Sequence, residues 1–337
     1  MTRFAIASLT PAALLALACL RGGPWPLLAL LSITVVVFFL DRIGVAAKTS
    51  EASGRGVSVA QALAHFALLP LGVWAIADAA YLALSDRVLI YIALGLYCGQ
   101  VSNSNAHELI HAADRWARRL GTAMYVSVLH GHHVSAHLRV HHIHAATDAD
   151  PNSAAAGTGF YRYAARVLGQ EFVAGLRADN AHRARASAHL SALSHPYVAY
   201  VGGGVLCLFA AFLLAGLAGV AVLLGVALYA QLQLLLSDYV QHYGLRRATR
   251  PDGRTEPIGP QHSWNAPNWY SSAMMLNAPR HSDHHIRPAR AFPALEVDTA
   301  TMPLLPRSLP VMAVLALMPP VWRRVMDRRV RDWQESA

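Results

Sequence analysis

Cysteine, lysine and charge are all scarce in this sequence of 337 residues. Only Cys19, Cys98 and Cys207 occur, each inside an apolar stretch and none in a C-x-x-C pair. That excludes a zinc ribbon, a built-in rubredoxin-type iron site and a disulfide framework. Lys48 is the one lysine among 28 basic residues, and the arginine and alanine enrichment points to a GC-rich bacterial genome. Charged residues make up 14% against 55% hydrophobic, which is not the balance of a soluble globule. The bilayer is the expected solvent. A net charge of +9 does not signal nucleic acid here, because the arginines lie between and after apolar runs, where retention on the cytoplasmic side accounts for them.

What is abundant is long apolar sequence. Runs long enough to cross a bilayer fall at residues 4–20, 26–46, 61–84 and 87–106. The stretch from Tyr197 to Leu236 is about twice the length of one span, and Gly216 and Gly219 near its middle predict a tight turn, giving 197–215 and 218–236. The expectation is an all-α integral membrane protein of six spans forming a single domain over 1–337, with helical segments 107–195 and 237–337 as a cytoplasmic cap. Arg42, Lys48, Arg55, the segment 107–195 and the C-terminal tail carry most of the basic loop residues, while Arg21 and Arg87 stand almost alone on the other side. By the positive-inside rule both termini face the cytoplasm, in a bacterial inner membrane. The first run reads as an uncleaved helix rather than a signal peptide, because Arg21 and a second span follow at once. Leu309 to Trp322, too short to span and carrying Pro310, Pro319 and Pro320, reads as an interfacial or packed segment. Asp78 sits inside the third run, where an ionisable group is a functional candidate by default, but it is expected near the far surface, within reach of Arg87 or water.

Histidine is the second excess. There are 18, nine of them between His107 and His144. "HELIH" at 107–111 matches the zinc-protease helix, two imidazoles on one face with a glutamate between. Three further clusters argue for something larger: His137, His141 and His142; His242 in "DYVQHYGLRR"; and His281, His284 and His285 in "RHSDHH". Spacings of three and four put side chains on one helical face, and each cluster adjoins the cytoplasmic end of an expected span or follows it in the loops. A catalytic zinc takes three protein ligands and would leave most of these imidazoles idle. Nine imidazoles suit two metal ions with four or five nitrogens each, and they suit iron, copper and nickel alike.

The four boxes together resemble the integral-membrane alkane monooxygenase family, a branch of the membrane desaturase and hydroxylase superfamily. The resemblance is carried by "NAHELIH" at 105–111, "HLRVHH" running into "ATDADPNSA" at 137–155, "DYVQHYGLRR", "RPDGR" and "HSWN" within 238–265, "RHSDHH" at 280–285 and "PPVWRRVMDRR" near the C-terminus. It implies a di-iron centre held by His107, His111, His137, His141, His142, His242, His281, His284 and His285, with no separate protein base. Glu108, His132, Asp148, Asp238, His262 and Asp283 are then expected to orient or balance the charge of these ligands. The chain departs from the pattern at Ala112, where lysine is common, at Ala136 for glutamate, at Val140 for glycine and at Asp238 for asparagine.

The implied reaction uses dioxygen and two electrons from outside to hydroxylate the terminal methyl of an alkane or alkyl chain arriving from membrane lipid. Val36, Phe39, Trp74 and Leu235 are candidates to line its path. Without an iron–sulfur or flavin motif in the chain, the electrons are expected from rubredoxin and its reductase, with the arginines of 115–119, 183–185 and 323–331 as a docking surface. Xylene-type methyl hydroxylation or lipid desaturation is the nearest alternative; a membrane zinc metalloprotease and a metal transporter or sensor are remote ones. His130 and His133 precede the second box; His144 neighbours it with no assigned role; His182, His189 and His195 read as loop residues, and His65 as a satisfied helix-end residue.

Overall fold

The computed structural model describes residues 1–44, 49–185 and 191–336, so Lys48 and His189 lie outside the described residues. Helices dominate, and among the described residues no strand forms beyond isolated bridges at Thr249–Thr255 and Asn265–Leu304. Among the described residues, three helices are long and apolar enough to cross a membrane: Thr2–Arg21, Arg55–Ala77 and Pro196–His242.

The helix Pro196–His242 is two apolar arms folded at its middle. Ala215 and Gly216 leave helical geometry, and Gly216 takes φ 58°, a left-handed value that glycine adopts without steric cost. The break begins at Ala215, one residue before the expected turn. The expected span 26–46 is shorter and split: Trp25–Ile33 and Val35–Leu40 meet at Thr34 (φ −113°, ψ −80°). Its last expected residues, 45 and 46, lie outside the described residues. The expected 61–84 begins and ends earlier, at Arg55 and Ala77. Asp78 is the exposed residue that follows, and Arg87 turns to the carbonyls of Ile76, Ala79 and Leu82 rather than to it, satisfying the helix end. The expected 87–106 is part of a continuous rod, Leu84–Leu96 through a π-helical turn Tyr97–Ser102 into Asn103–His111.

A close approach and a helix cap set the position of the helix Asn103–His111. Gly121 of the helix Arg115–Ser127 lies so close to it that a Cβ would meet Ala106 O and Leu109 Cβ at 2.8 Å. Asp114 starts that second helix by accepting from Trp116 N and Ala117 N. The first helices also reach the site-bearing half: Asp41 Oδ1 accepts from Tyr270 N (3.0 Å) and Ser271 N (2.9 Å), Trp269 Nε1 donates to Leu40 O, and Phe4 packs edge-on against Phe292. Leu309–Ala316 and Pro319–Ser336 pack inward through Leu309, Met312, Ala316, Trp322, Met326 and Val330. His65 is buried with its Nε2 2.7 Å from Ser127 Oγ, and His195 caps the long helix by accepting from Tyr197 N.

Candidate metal centre

The nine histidines gather into two adjoining groups. His107, His111, His137, His142 and His284 form one, and His141, His242, His281 and His285 the other, with the ligand atoms of each group all within 4.8 Å of one another. Within the first, His137 Nε2 lies 3.0 Å from His111 Nε2 and 2.9 Å from His142 Nε2. Within the second, His281 Nε2 lies 2.9 Å from His242 Nε2 and 3.1 Å from His285 Nε2. The groups touch, with the rings of His142 and His285 4.7 Å apart.

Local helix geometry decides which imidazole goes where. His107 and His111 sit four apart on an ordinary α-helix and enter the same group. The second box is a π-helical turn, His137–His141. Its i→i+5 hydrogen bonding aligns His137 with His142 and turns His141 toward the other group. In the helix His281–Ile286, His281 and His285 share one face and His284 the next, so this box also serves both groups.

The donor set suits a pair of cationic metals. Nitrogen-to-nitrogen contacts between neutral rings gain a hydrogen bond from one partner only, and His107 Nε2 and His141 Nε2 are buried without a partner. Burial, reinforced by neighbouring imidazoles, holds His107, His137, His142, His242, His284 and His285 well below the ordinary histidine value, and His111 and His281 near about 3. These rings are neutral at pH 7, the form that binds metal. At His141 burial pulls the same way, but the Asp150 carboxylate outweighs it and holds the ring up at about 9.

The surrounding carboxylates differ from expectation in one important place. Asp148 is 97% exposed and pairs with Arg246 at the surface; two residues on, buried Asp150 accepts from His141 Nδ1 at 2.9 Å and from Ser153 Oγ. Asp238 is buried and accepts from Asn152 Nδ2. Asp283 is fully buried, bound to Arg287, Arg290 and Glu296 N, and so pins the helix that carries His281, His284 and His285. Glu108 accepts from Phe292 N, and burial pushes its carboxyl up to about 7. His262 pairs with Glu256 at 2.9 Å, and His132 packs against His130 and Phe172. His144 stands outside both groups.

A cavity reaches both groups, walled by His107 and His137 of the first and His281 of the second. Gln100, Asn103 and Ser104 line it from one side, Gln233, Ser237 and Gln241 from another, and Leu309, Pro310 and Ala313 close it. None of Val36, Phe39, Trp74 and Leu235 is among its walls: Val36 and Phe39 are exposed, Trp74 packs beside Tyr81, and Leu235 is core. The missed signal is a polar stripe, Gln233, Ser237 and Gln241 at four-residue intervals down an apolar helix. Such a row costs free energy in lipid unless it faces protein or a cavity.

An all-helical membrane protein with a divided polyhistidine centre is what fold and site define. A model of the family described as fatty acid desaturase matches residues 87–314, and the chain belongs to that family. It is also 30% identical over 247 residues to alkane 1-monooxygenase 2 of Alcanivorax borkumensis, covering 73% of this chain and 64% of that protein. It is 32% identical over 248 residues to alkane 1-monooxygenase of Acinetobacter baylyi (73% and 60%), and 28% identical over 291 residues to alkane 1-monooxygenase 1 of Pseudomonas aeruginosa (85% and 76%). The chain spans less than two thirds of the length of the first two relatives.

Proposed function

We propose that this protein is a membrane monooxygenase that hydroxylates the terminal methyl of alkanes or alkyl chains, with two irons in the nine-histidine centre. The observation that carries the reading is the cavity bounded by imidazoles of both groups; the similarity to alkane 1-monooxygenases supports it. Bound there, the irons would supply dioxygen reduction and oxidation of an unactivated C–H bond.

The protein's own part is position and exclusion of water. His107, His111, His137, His142 and His284 would hold one ion, and His141, His242, His281 and His285 the other. Asp150 fixes the His141 ring through Nδ1 and leaves Nε2 for metal. Leu234, Met275 and Ala278 give the cavity apolar wall, while Gln233 and Gln100, 3.4 Å apart, hydrogen-bond across it. A bilayer-dissolved chain would enter sideways, between the second arm of the long helix and Leu309–Ala313.

In this reading six spans cross the inner membrane, with both termini and the centre cytoplasmic. Electrons come from an acidic external carrier, rubredoxin with its reductase. Arg323, Arg324, Arg328 and Arg329 stand exposed on Pro319–Ser336 while Trp322, Met326 and Val330 face inward, an outward basic face suited to such a partner.

The test is iron quantification on the purified protein, with product analysis after incubation with n-alkanes, xylenes and fatty acyl chains in the presence of rubredoxin and its reductase. Two irons per chain and a primary alcohol from an alkane are expected. A double-bond product without alcohol, or one zinc without oxygen consumption, would remove this reading.

A further inference from the structure

Glu171 lies on the helix Phe160–Ala184 with its carboxylate 1% exposed. A carboxylate in that position is costly to keep ionised without a cationic partner. Its neighbours have ordinary ones: Asp179, on the same helix, takes Arg139 at 2.7 Å and the Ser135 hydroxyl. Among the described residues Glu171 meets no arginine, hydroxyl or backbone N–H. Its two oxygens address two imidazoles, Oε1 to His133 Nδ1 and Oε2 to His130 Nε2 at 3.3 Å.

All three side chains are buried, and their ligand atoms lie within 4.8 Å of one another, the same closeness found in the nine-histidine groups. The approach to the cluster is built with a strained step. Leu129 takes φ 57°, a left-handed conformation that is strained for a bulky side chain. His130 then begins a tight turn, its N–H donating to Tyr125 O and its carbonyl accepting from His133 N. This turn brings both imidazoles to the face that Glu171 reaches. His130 Nδ1 is also buried without a partner. Beyond the cluster, His133 forms part of the central cavity wall, and its ring lies 5.1 Å from that of His137.

We propose that His130, His133 and Glu171 form a third metal site, separate from the nine histidines, for one divalent cation of the zinc or ferrous class. Two imidazoles and one carboxylate are a donor set that both ions accept, leaving one or more coordination positions open. The cation balances Glu171, ties the helix Phe160–Ala184 to the turn before the second box, and fixes His133 beside His137. The competing arrangement is a hydrogen-bonded cluster in which one imidazole carries the compensating proton.

Metal content decides between them. Full-length protein would be purified in detergent from cells supplied with iron and zinc, and total metal per chain measured for wild type, Glu171→Gln and His130→Asn. Each variant is expected to hold about one equivalent less than wild type while the metal of the nine histidines is retained. Stripped protein titrated with Co(II) should show the same difference in uptake. Identical content and uptake in wild type and either folded variant would overturn the proposal. A His107→Ala, His281→Ala double variant disturbs the larger centre while sparing this cluster. The difference in metal between that double variant and the same variant also carrying Glu171→Gln therefore reads the third site whatever the nine histidines contain.

Discussion

His142 Nε2 lies 2.9 Å from His137 Nε2, five residues back along the chain. Only the π-helical turn His137–His141 makes that distance possible, because in an α-helix residues five apart point away from each other. Deleting Val140 lets the turn return to α-helix, where His142, now four positions on, still shares a face with His137, but His141, now three positions on, is drawn toward that face and away from His242, His281 and His285. About half or more of the bound metal is expected to be lost, read as metal per chain on folded protein.

Asp150 and Asp148 make a matched pair for mutation. Asp150→Asn removes the anion that orients His141, and metal affinity is expected to fall about 10–100-fold. Asp148→Asn, altering an exposed carboxylate, should leave it unchanged. Competition against a chelator measures both.

Acid should weaken the metal-free protein. Eight of the nine imidazoles have values pushed below the histidine norm of 6.5 by burial. The unfolded chain therefore takes up protons first as pH falls through about 6.5, and their contribution, present above that value, is lost below it. His141 has the opposite sign, adding stability at low pH that is lost as pH rises through about 9. Eight outweigh one, so Tm should drop between about pH 7 and pH 5.

Asp283→Ala tests the support beneath the fourth box. Its carboxylate is fully buried, and Arg287, Arg290 and Glu296 N all lean on it. A loss of about 3 kcal/mol is expected, together with lower metal content, since the helix His281–Ile286 loses its anchor. Denaturation in detergent and metal analysis report the two effects.

Replacing Arg323, Arg324, Arg328 and Arg329 by glutamine should slow electron delivery from an acidic carrier without changing bound metal. The wild-type rate should fall as salt rises, and the variant should lose most of that dependence.

The nine clustered histidines and the turn at Gly216 were legible in the sequence because spacing and residue type speak directly to them. The sorting of nine imidazoles into five and four was not, since a π turn leaves no mark in hydrophobic periodicity. Asp150 was missed for Asp148 because two carboxylates two residues apart look alike until one is buried. The break at Thr34 was hidden by apolar residues on both sides. The cavity guesses favoured bulky apolar residues, whereas the telling feature was Gln233, Ser237 and Gln241 on a greasy helix.

Asp41, Trp269 and the Phe4–Phe292 contact stitch the first helices to the stretches on either side of "RHSDHH". The leading helices are therefore no detachable anchor. A chain clipped after Arg42 would keep all nine clustered histidines in its sequence and still lose the brace beside the helix that carries three of them.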